Sequence, residues 1–310
     1  MANVVGIDLG GTQLRAARVD EAGRVLAADR VRTDRDGGPA AVLAQMLGLI
    51  GAMRDAATVS VGIGIPGAFE AATGVVLGIP ALPGWSAVPL GAEITSRTGL
   101  PCVLENDATA AAIGEWVAGA GSGCRHFVYV TISTGIGAGV IVDGRVMRGA
   151  RGLAGEIGHT RIADASDRCS CGQIGCWEAV ASGTALGRRA RRAAAQEPDG
   201  AIARAAAGAP ASAEHVGAAA LRGDARARAL LDEEALWLGY GFTNVQHLYA
   251  PERVVVGGGL SRLLDLMSER IEAVVRARRL PGFPEVPIVA AALGDDAGMI
   301  GAALQAAATR

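Results

Sequence analysis

Over residues 4–25 an apolar run, VVGID, breaks at a glycine turn, LGGT, and resumes as LRAARV before a second turn, DEAGRV. Over residues 1–31 this pattern predicts strand, glycine turn, strand, hairpin and strand. The same order returns over residues 127–146 as FVYVTI, STGIGAG, VIV and DGRV, and both copies turn on Gly-Arg-Val after an Asp. The repetition predicts two lobes built on related β-hairpin units. Between the copies lie a helical pattern at residues 40–54, the apolar strand VSVGIGIPG, and the strand PCVLEND running into the helix ATAAAIGEWVAG. The glycine-rich GAGSG at residues 119–123 reads as a joint. It predicts an N-terminal α/β lobe at residues 1–120 and a C-terminal lobe at 121–310. Residues 185–248 are rich in Ala and Arg with helical spacing, followed by a strand RVVVGGG, a helix and a closing strand PIVAAAL. A last helix at residues 296–308 is free to pack back on the first lobe. Strands mixed with helices on this scale predict an α/β protein.

A chain of 310 residues has room for two domains. Half of its residues are hydrophobic, yet no apolar run approaches the roughly 20 residues that span a membrane. The net charge of −2 offers nucleic acid no attraction. The opening MANVVGIDLGG has no basic leader pattern, and five cysteines, an odd number, argue against a disulfide framework. The expectation is a cytoplasmic protein with no membrane and no nucleic-acid partner. The run Arg188, Arg189, Arg191, Arg192 reads as a solvated helix face rather than a nucleic-acid patch. There is no lysine; all 29 basic residues are arginine. That excludes the Walker-A loop and the protein-kinase site, each of which needs a lysine. Nucleotide phosphates bound here must be held by backbone N–H groups, hydroxyls and a metal ion.

Three glycine loops could hold phosphates in that way, DLGGT at residues 8–12, STGIGAG at 133–139 and VGGGLS at 256–261. Glycines let the backbone approach anionic oxygens closely, and Thr12 and Thr134 add hydroxyl donors. One such loop alone reads equally as a tight turn; three, two of them in the repeated units, point to a nucleotide cleft between lobes. Gly135, Gly137 and Gly139 have the spacing of a dinucleotide fingerprint but lead into the strand VIVDG instead of a helix, which rejects that reading. Asp8 stands where it could hold a Mg²⁺-bound water, or form the turn.

Glu105-Asn106-Asp107 ends a strand and begins a helix, where Asn or Asp is a natural cap. A carboxylate there could also take the proton of an attacking hydroxyl in phosphoryl transfer. The stretch RCSCGQIGCWE supplies three of the five cysteines as C-x-C-x₄-C, and His159 lies ten residues before Cys169. His159, Cys169, Cys171 and Cys176 complete a tetrahedral zinc shell with no open position, hence a structural one. Buried free thiols that happen to cluster are the alternative. Zinc there would join Glu156 and Glu178 to one rigid patch able to hydrogen-bond a hydroxylated ligand; otherwise both are solvated carboxylates.

In this order the motifs resemble those of the ROK family (repressors, open reading frames, kinases), sugar kinases of the actin-like ATPase superfamily. The resemblance runs from DLGGT through GIGIPG, LPGW, END, STGIGAGVIVDGRV, GLAGEIGH and CSCGQIGCWEAVASG to VVVGGG and LGDDAG, nearly the whole chain. It implies a two-lobed actin-like ATPase (ribonuclease H-like) α/β fold with an interlobe cleft, and ATP-dependent phosphorylation of a hexose at its 6-hydroxyl. It assigns the general base to Asp107 and sugar contacts to Gly67, Asn106, Asp107, Glu156, His159 and Glu178. Phosphate contacts fall on Gly10, Gly11, Thr12, Thr134 and Gly135, with Asp8 beside them, and Gly258 and Gly259 lie near the adenosine. ATP, Mg²⁺ and structural Zn²⁺ are the implied cofactors, and the family suggests homodimers or homotetramers.

Two positions depart from the family pattern. Ala81 stands before LPGW where Asn is common, and His247-Leu248-Tyr249-Ala250-Pro251 replaces the usual Asn-Leu-Leu-Asp-Pro. Glu156, where some N-acetylmannosamine kinases of the family have His, favours glucose as substrate. N-acetylmannosamine, N-acetylglucosamine and fructose remain alternative acceptors, and polyphosphate an alternative donor. A sugar-sensing regulator is the rival of another class. Only seven residues precede Asp8, against the DNA-binding module of the family's repressors.

Overall fold

The computed structural model describes residues 2–162 and 167–309. The chain forms two compact units: Met1–Tyr129 with Gly139–Gly155 and Ala291–Arg310, and Val130–Ala138 with Glu156–Ala290. Among the described residues no helix is long and apolar enough to cross a membrane.

The first unit begins with β1 (Asn3–Leu9), β2 (Gln13–Val19), β3 (Val25–Arg32) and α1 (Gly38–Met53). Helix α1 starts two residues earlier than its periodicity predicts. Pro39 falls in its first turn, where a missing N–H costs nothing. Next come β4 (Thr58–Ile65), the short hairpin β5 (Ala68–Glu70) and β6 (Val75–Gly78), α2 (Leu90–Thr98), β7 (Cys102–Asn106) and α3 (Asp107–Ala118). The sheet order is β3-β2-β1-β4-β7, antiparallel from β3 to β1 and parallel from β1 through β4 to β7.

Both faces of β1 are covered, which is why it reads as a continuous apolar run instead of an alternating one. Val5, Ile7 and Leu9 join a core with Met46 and Ile50 of α1 and Leu90 and Ile94 of α2. Val4 turns the other way, into a core with Ile113, Met299, Ile300 and Ala303. Met299, Ile300 and Ala303 belong to the terminal helix, which sits so close to the sheet that only glycine fits beneath it. A Cβ at Gly6 would overlap the Met299 carbonyl oxygen, and one at Gly62 that of Ala302. The helix approaches α3 in the same way at Gly301 against Ala110 and Gly114 against Ala297. Glu115, fully buried on α3, accepts the N–H groups of Ala120, Ala292 and Leu293 at 2.8, 3.1 and 2.7 Å. It thereby ties the end of α3 to the segment entering the terminal helix.

The chain continues through β8 (Phe127–Ile132), β9 (Ile136–Val142) and β10 (Arg145–Val146). Strand β9 starts at Ile136, so the second glycine loop is shorter than its sequence suggests: the turn is Ser133, Thr134 and Gly135, and Gly137 and Gly139 lie within the strand. Gly139 is there for packing, since a Cβ would overlap that of Ala112 on α3. The second unit adds α4 (Trp177–Ala181), α5 (Gly183–Gln196), α6 (Ala201–Ala206), α7 (Ala213–Leu221), α8 (Ala225–Tyr249), β11 (Arg253–Gly257), α9 (Ser268–Arg278) and β12 (Ile288–Ala290); α10 (Ala297–Ala308) is the terminal helix of the first unit. The second sheet is ordered β10-β9-β8-β11-β12. Third, second and first strand of the copy, then two later strands: this repeats the order of the first sheet, and the first three strands are the related hairpin units that the sequence repeat predicts.

The 25-residue α8 is the spine of the second unit. Asp224 caps its start by accepting the Ala227 N–H at 2.8 Å. Trp177 of α4 is inserted against it, edge-on to Phe242 with ring centroids 5.5 Å apart, and donates from Nε1 to the Trp237 carbonyl at 3.0 Å. Gly241 leaves the slot for that ring.

Gly301→Ala should destabilise the protein by about 3 kcal/mol, the upper range for overpacking. The new methyl must push Ala110's carbonyl away. Urea unfolding checks this; an unchanged midpoint would mean that the close seat of α10 does not matter.

Candidate functional site

In the first unit, the parallel strands set Asp8 level with Gly64 and Gly64 level with Glu105. With neighbouring strands about 4.8 Å apart, the DLGGT turn and the Glu105-Asn106-Asp107 corner leave one sheet edge about 10 Å apart. It is the carboxyl edge, where open α/β sheets bind ligands. Gly67 follows β4 at the same edge, past the Ile65–Asn106 pair. A Cβ on Gly67 would overlap the Gly78 carbonyl oxygen.

Asn106 caps α3, its Oδ1 accepting the Thr109 N–H at 3.0 Å. Asp107 is the first helical residue, half-buried, with Oδ1 accepting the Ala108 N–H at 2.8 Å. Next to it, Glu105 is buried, and its Oε2 accepts Arg148 Nε at 3.2 Å and Nη2 at 2.7 Å.

The DLGGT turn is held by its own backbone. Gly10 donates to the Gln13 carbonyl at 2.9 Å, and Thr33 donates from N–H to Thr12 O at 2.9 Å and from its hydroxyl to Gly10 O at 2.8 Å. Gly10 and Gly11 are half-buried and Thr12 is exposed. Asp8 and Arg15 face each other across the hairpin, with Nη1 3.4 Å from Asp8 Oδ2. The same guanidinium reaches the Asp295 carbonyl at 3.3 Å and its carboxylate at 3.6 Å. Burial raises the Asp8 carboxyl above the usual carboxylate range, only partly opposed by Arg15. A divalent cation would relieve that cost.

In the second unit, the Ser133-Thr134-Gly135 turn is closed by the Ser133 N–H donating to the Gly135 carbonyl at 2.9 Å, with Thr134 exposed. Gly258 has φ +79°, and a Cβ there would stand 2.5 Å from the Ile132 carbonyl oxygen, so a glycine is required where β11 ends beside β8. Gly259 lies next to the same turn, a Cβ there being 3.9 Å from Ser133 Oγ.

His159, Cys169, Cys171 and Cys176 offer four ligand atoms within 4.8 Å of one another. Cys171 and Cys176 sulfurs are 3.7 Å apart, and His159 Nδ1 is 3.5 Å from Cys169 Sγ. A tetrahedral zinc with Zn–S of about 2.3 Å and Zn–N of about 2.0 Å needs edges of about 3.8 and 3.5 Å. The donor set fits, with Nδ1 as the histidine ligand. Burial first, then the neighbouring sulfurs, push the Cys176 thiol up to about 12.

Glu178 is half-buried in α4 and held from two sides. Its Oε2 accepts the Ile136 N–H at 3.0 Å, and its Oε1 accepts the Ser170 hydroxyl at 2.9 Å. Gly135 must be glycine to let this carboxylate in. Glu156 is exposed, with Oε2 3.9 Å from His159 Nε2, on the side of the ring away from the cysteines. The predicted site residues thus gather in two sets: Asp8, Gly10, Gly11, Thr12, Gly67, Asn106 and Asp107 in the first unit; Thr134, Gly135, Glu156, His159, Glu178, Gly258, Gly259 and the cysteines in the second. Arg15 and Arg148, which no motif marks, join the first set. Arg15 is legible only as the cross-strand partner of Asp8 once the hairpin is drawn. Arg148 lies 43 residues from Glu105, and no local pattern announces the pair.

A family model described as ROK family matches residues 4–309. A glucokinase of Streptomyces coelicolor is 37% identical over 98% of this chain and 97% of its own length. An N-acetylmannosamine kinase of Yersinia pseudotuberculosis is 34% identical over the full length of both. Among solved structures, a ROK family glucokinase from Streptomyces griseus in complex with glucose and AMPPNP superposes with a TM-score of 0.87 at 33% identity, covering 99% of this chain and 100% of that one. The match from end to end, and the glycine turns, acidic corner and His-Cys cluster described above, place the chain in the ROK family.

Proposed function

We propose that this protein is an ATP-dependent hexose kinase, with glucose as its acceptor and glucose 6-phosphate as its product. The observation that carries the reading is the shared strand edge where β1 runs into the DLGGT turn and β7, with Glu105 level with Asp8, runs into Asp107. One end of that edge presents backbone N–H groups to phosphates, the other a carboxylate to the attacking hydroxyl. Whole-length similarity to glucokinases supports the same reading.

Asp107 accepts the proton of the sugar 6-hydroxyl as its oxygen bonds to the γ-phosphorus, and the bond to the bridging oxygen breaks to release ADP. Asn106 holds the start of α3 and so the direction of Asp107. Arg148 neutralises Glu105, so that Asp107 does not face a second uncompensated carboxylate. Gly10, Gly11, Thr12, Thr134 and Gly135 contact the phosphates and Gly258 and Gly259 the adenosine. Asp8 would hold Mg²⁺, which would supply charge to offset the phosphoryl oxygens. Gly67, Asn106, Glu156, His159 and Glu178 hydrogen-bond the sugar hydroxyls.

His159, Cys169, Cys171 and Cys176 would hold zinc, which with four protein ligands supplies rigidity rather than Lewis acidity. His159 would bind it through Nδ1 and keep Nε2, beside Glu156, for the sugar. The protein acts in the cytoplasm as a homodimer or homotetramer.

ADP release from MgATP, measured with glucose, mannose, fructose, N-acetylglucosamine and N-acetylmannosamine, should give its highest kcat/KM with glucose, by tenfold or more. A preference for N-acetylmannosamine would favour the activity of the Yersinia relative instead. Turnover with polyphosphate alone would overturn ATP as the donor. Elemental analysis of purified protein should give one zinc per chain, and Cys171→Ser should lower both the melting temperature and sugar affinity. A chain purified without zinc, yet with full affinity, would refute the metal assignment.

A further inference from the structure

The arginine run of α5 divides by face, and only half of it is the solvated surface its sequence suggests. Arg191 and Arg192 are exposed, whereas Arg188 and Arg189 turn back onto α4. Arg189 donates from Nη1 to the Val180 carbonyl at 2.9 Å and from Nη2 to Glu234 on α8. Arg188 donates to the Ala179 carbonyl at 2.6 Å and to Asp167 at 2.9 Å. These are the carbonyls that a five-residue helix leaves open at its end. Gly183, whose N–H would close the turn on Ala179, donates instead to the Ser133 carbonyl at 2.8 Å.

Glu234 has no exposed surface, and the Arg189 side chain is only 14% exposed. Buried ion pairs of this kind seldom add stability over apolar residues of equal volume. This one is also incompletely satisfied, since Glu234 Oε1 and Arg189 Nε lack hydrogen-bond partners among the described residues. Stability therefore does not account for it. The guanidinium does something that no apolar side chain can: it joins the end of α4 to the spine helix α8. Glu178 lies on α4 between that joint and the Trp177 anchor, and its carboxylate must meet the Ile136 N–H and the Ser170 hydroxyl together.

We infer that Arg189, held by the buried Glu234 with the more exposed Glu233 3.5 Å away, is a positioning residue that fixes α4 and so orients Glu178 for sugar binding. The inference rests on the sugar-binding role proposed for Glu178. Arg189→Lys keeps the charge but cannot reach two acceptors as a planar fork. Glu234→Gln keeps the shape and removes the buried carboxylate, leaving Glu233 at 3.5 Å as the remaining acidic partner. The double variant Arg189→Met with Glu234→Leu replaces the pair by apolar volume.

Kinetics of these three, beside Glu178→Gln, distinguish the outcomes. All three should raise the KM for glucose about tenfold, the effect of one lost or misaligned hydrogen bond. Their kcat at saturating glucose and KM for ATP should stay within about twofold of wild type, and the double variant should melt no lower than wild type. A raised glucose KM in Glu178→Gln with unchanged values in the folded pair variants would overturn the inference while leaving the kinase reading intact. An unchanged KM in Glu178→Gln itself would remove Glu178 from the sugar site and the inference with it. Failure of all three pair variants to fold would make the pair a folding requirement and equally overturn a positioning role.

Discussion

The ring of Trp177 fills the space that a side chain at position 241 would need, and the sites of the second unit hang on that fit. Helix α4 has five residues, far below the length at which a helix holds itself in water. Its place is set from outside: by the ring against Phe242, by the indole N–H on the Trp237 carbonyl, and by two arginines on its last carbonyls. Because of this, three consecutive residues can do three jobs. Cys176 faces the His-Cys cluster, Trp177 anchors the helix, and Glu178 meets the turn after β8. A shift of α4 by one ångström would disturb the His-Cys cluster and the carboxylate at once.

The first unit solves its positioning problem differently, with close backbone approach in place of a buried ring. Helix α10 touches β1, β4 and α3 through glycines, so main chain packs on main chain and leaves little room to slide. Glu115 adds three charge-assisted hydrogen bonds from one buried carboxylate. Helix α3 is held along its length in this way, and Asp107 at its start inherits a fixed direction. The parallel register then sets how far Asp107 stands from the DLGGT turn. Preorganisation of this kind is what phosphoryl transfer asks of a protein, since the chemistry itself is mostly positioning and charge.

Much of this was legible in the amino-acid order. The repeated strand-turn-strand pattern foretold related β-hairpin units, and C-x-C-x₄-C with His159 foretold a ligand set that the geometry accommodates. The END corner gave both the cap on Asn106 and the carboxylate after it. Other features were hidden because they depend on pairing across long distances. Gly137 and Gly139 looked like a loop, as glycine in sequence does not distinguish a turn from a strand pressed against a helix. Arg189 looked like surface, since its partners Val180 and Glu234 lie nine and 45 residues away and are set only when α4 and α8 pack. Arg148 was silent for the same reason.

The central claim is that Asp107 takes the proton of the attacking hydroxyl. Asp107→Asn keeps the size of the side chain and the cap on Asn106 while removing the base. Its glucose turnover with MgATP, paired with calorimetric titration of glucose, tests the claim most directly. The account predicts a fall in kcat of about a thousandfold, within the range that a general base supplies, with glucose affinity within about threefold of wild type. A variant that keeps a tenth or more of wild-type kcat would contradict it.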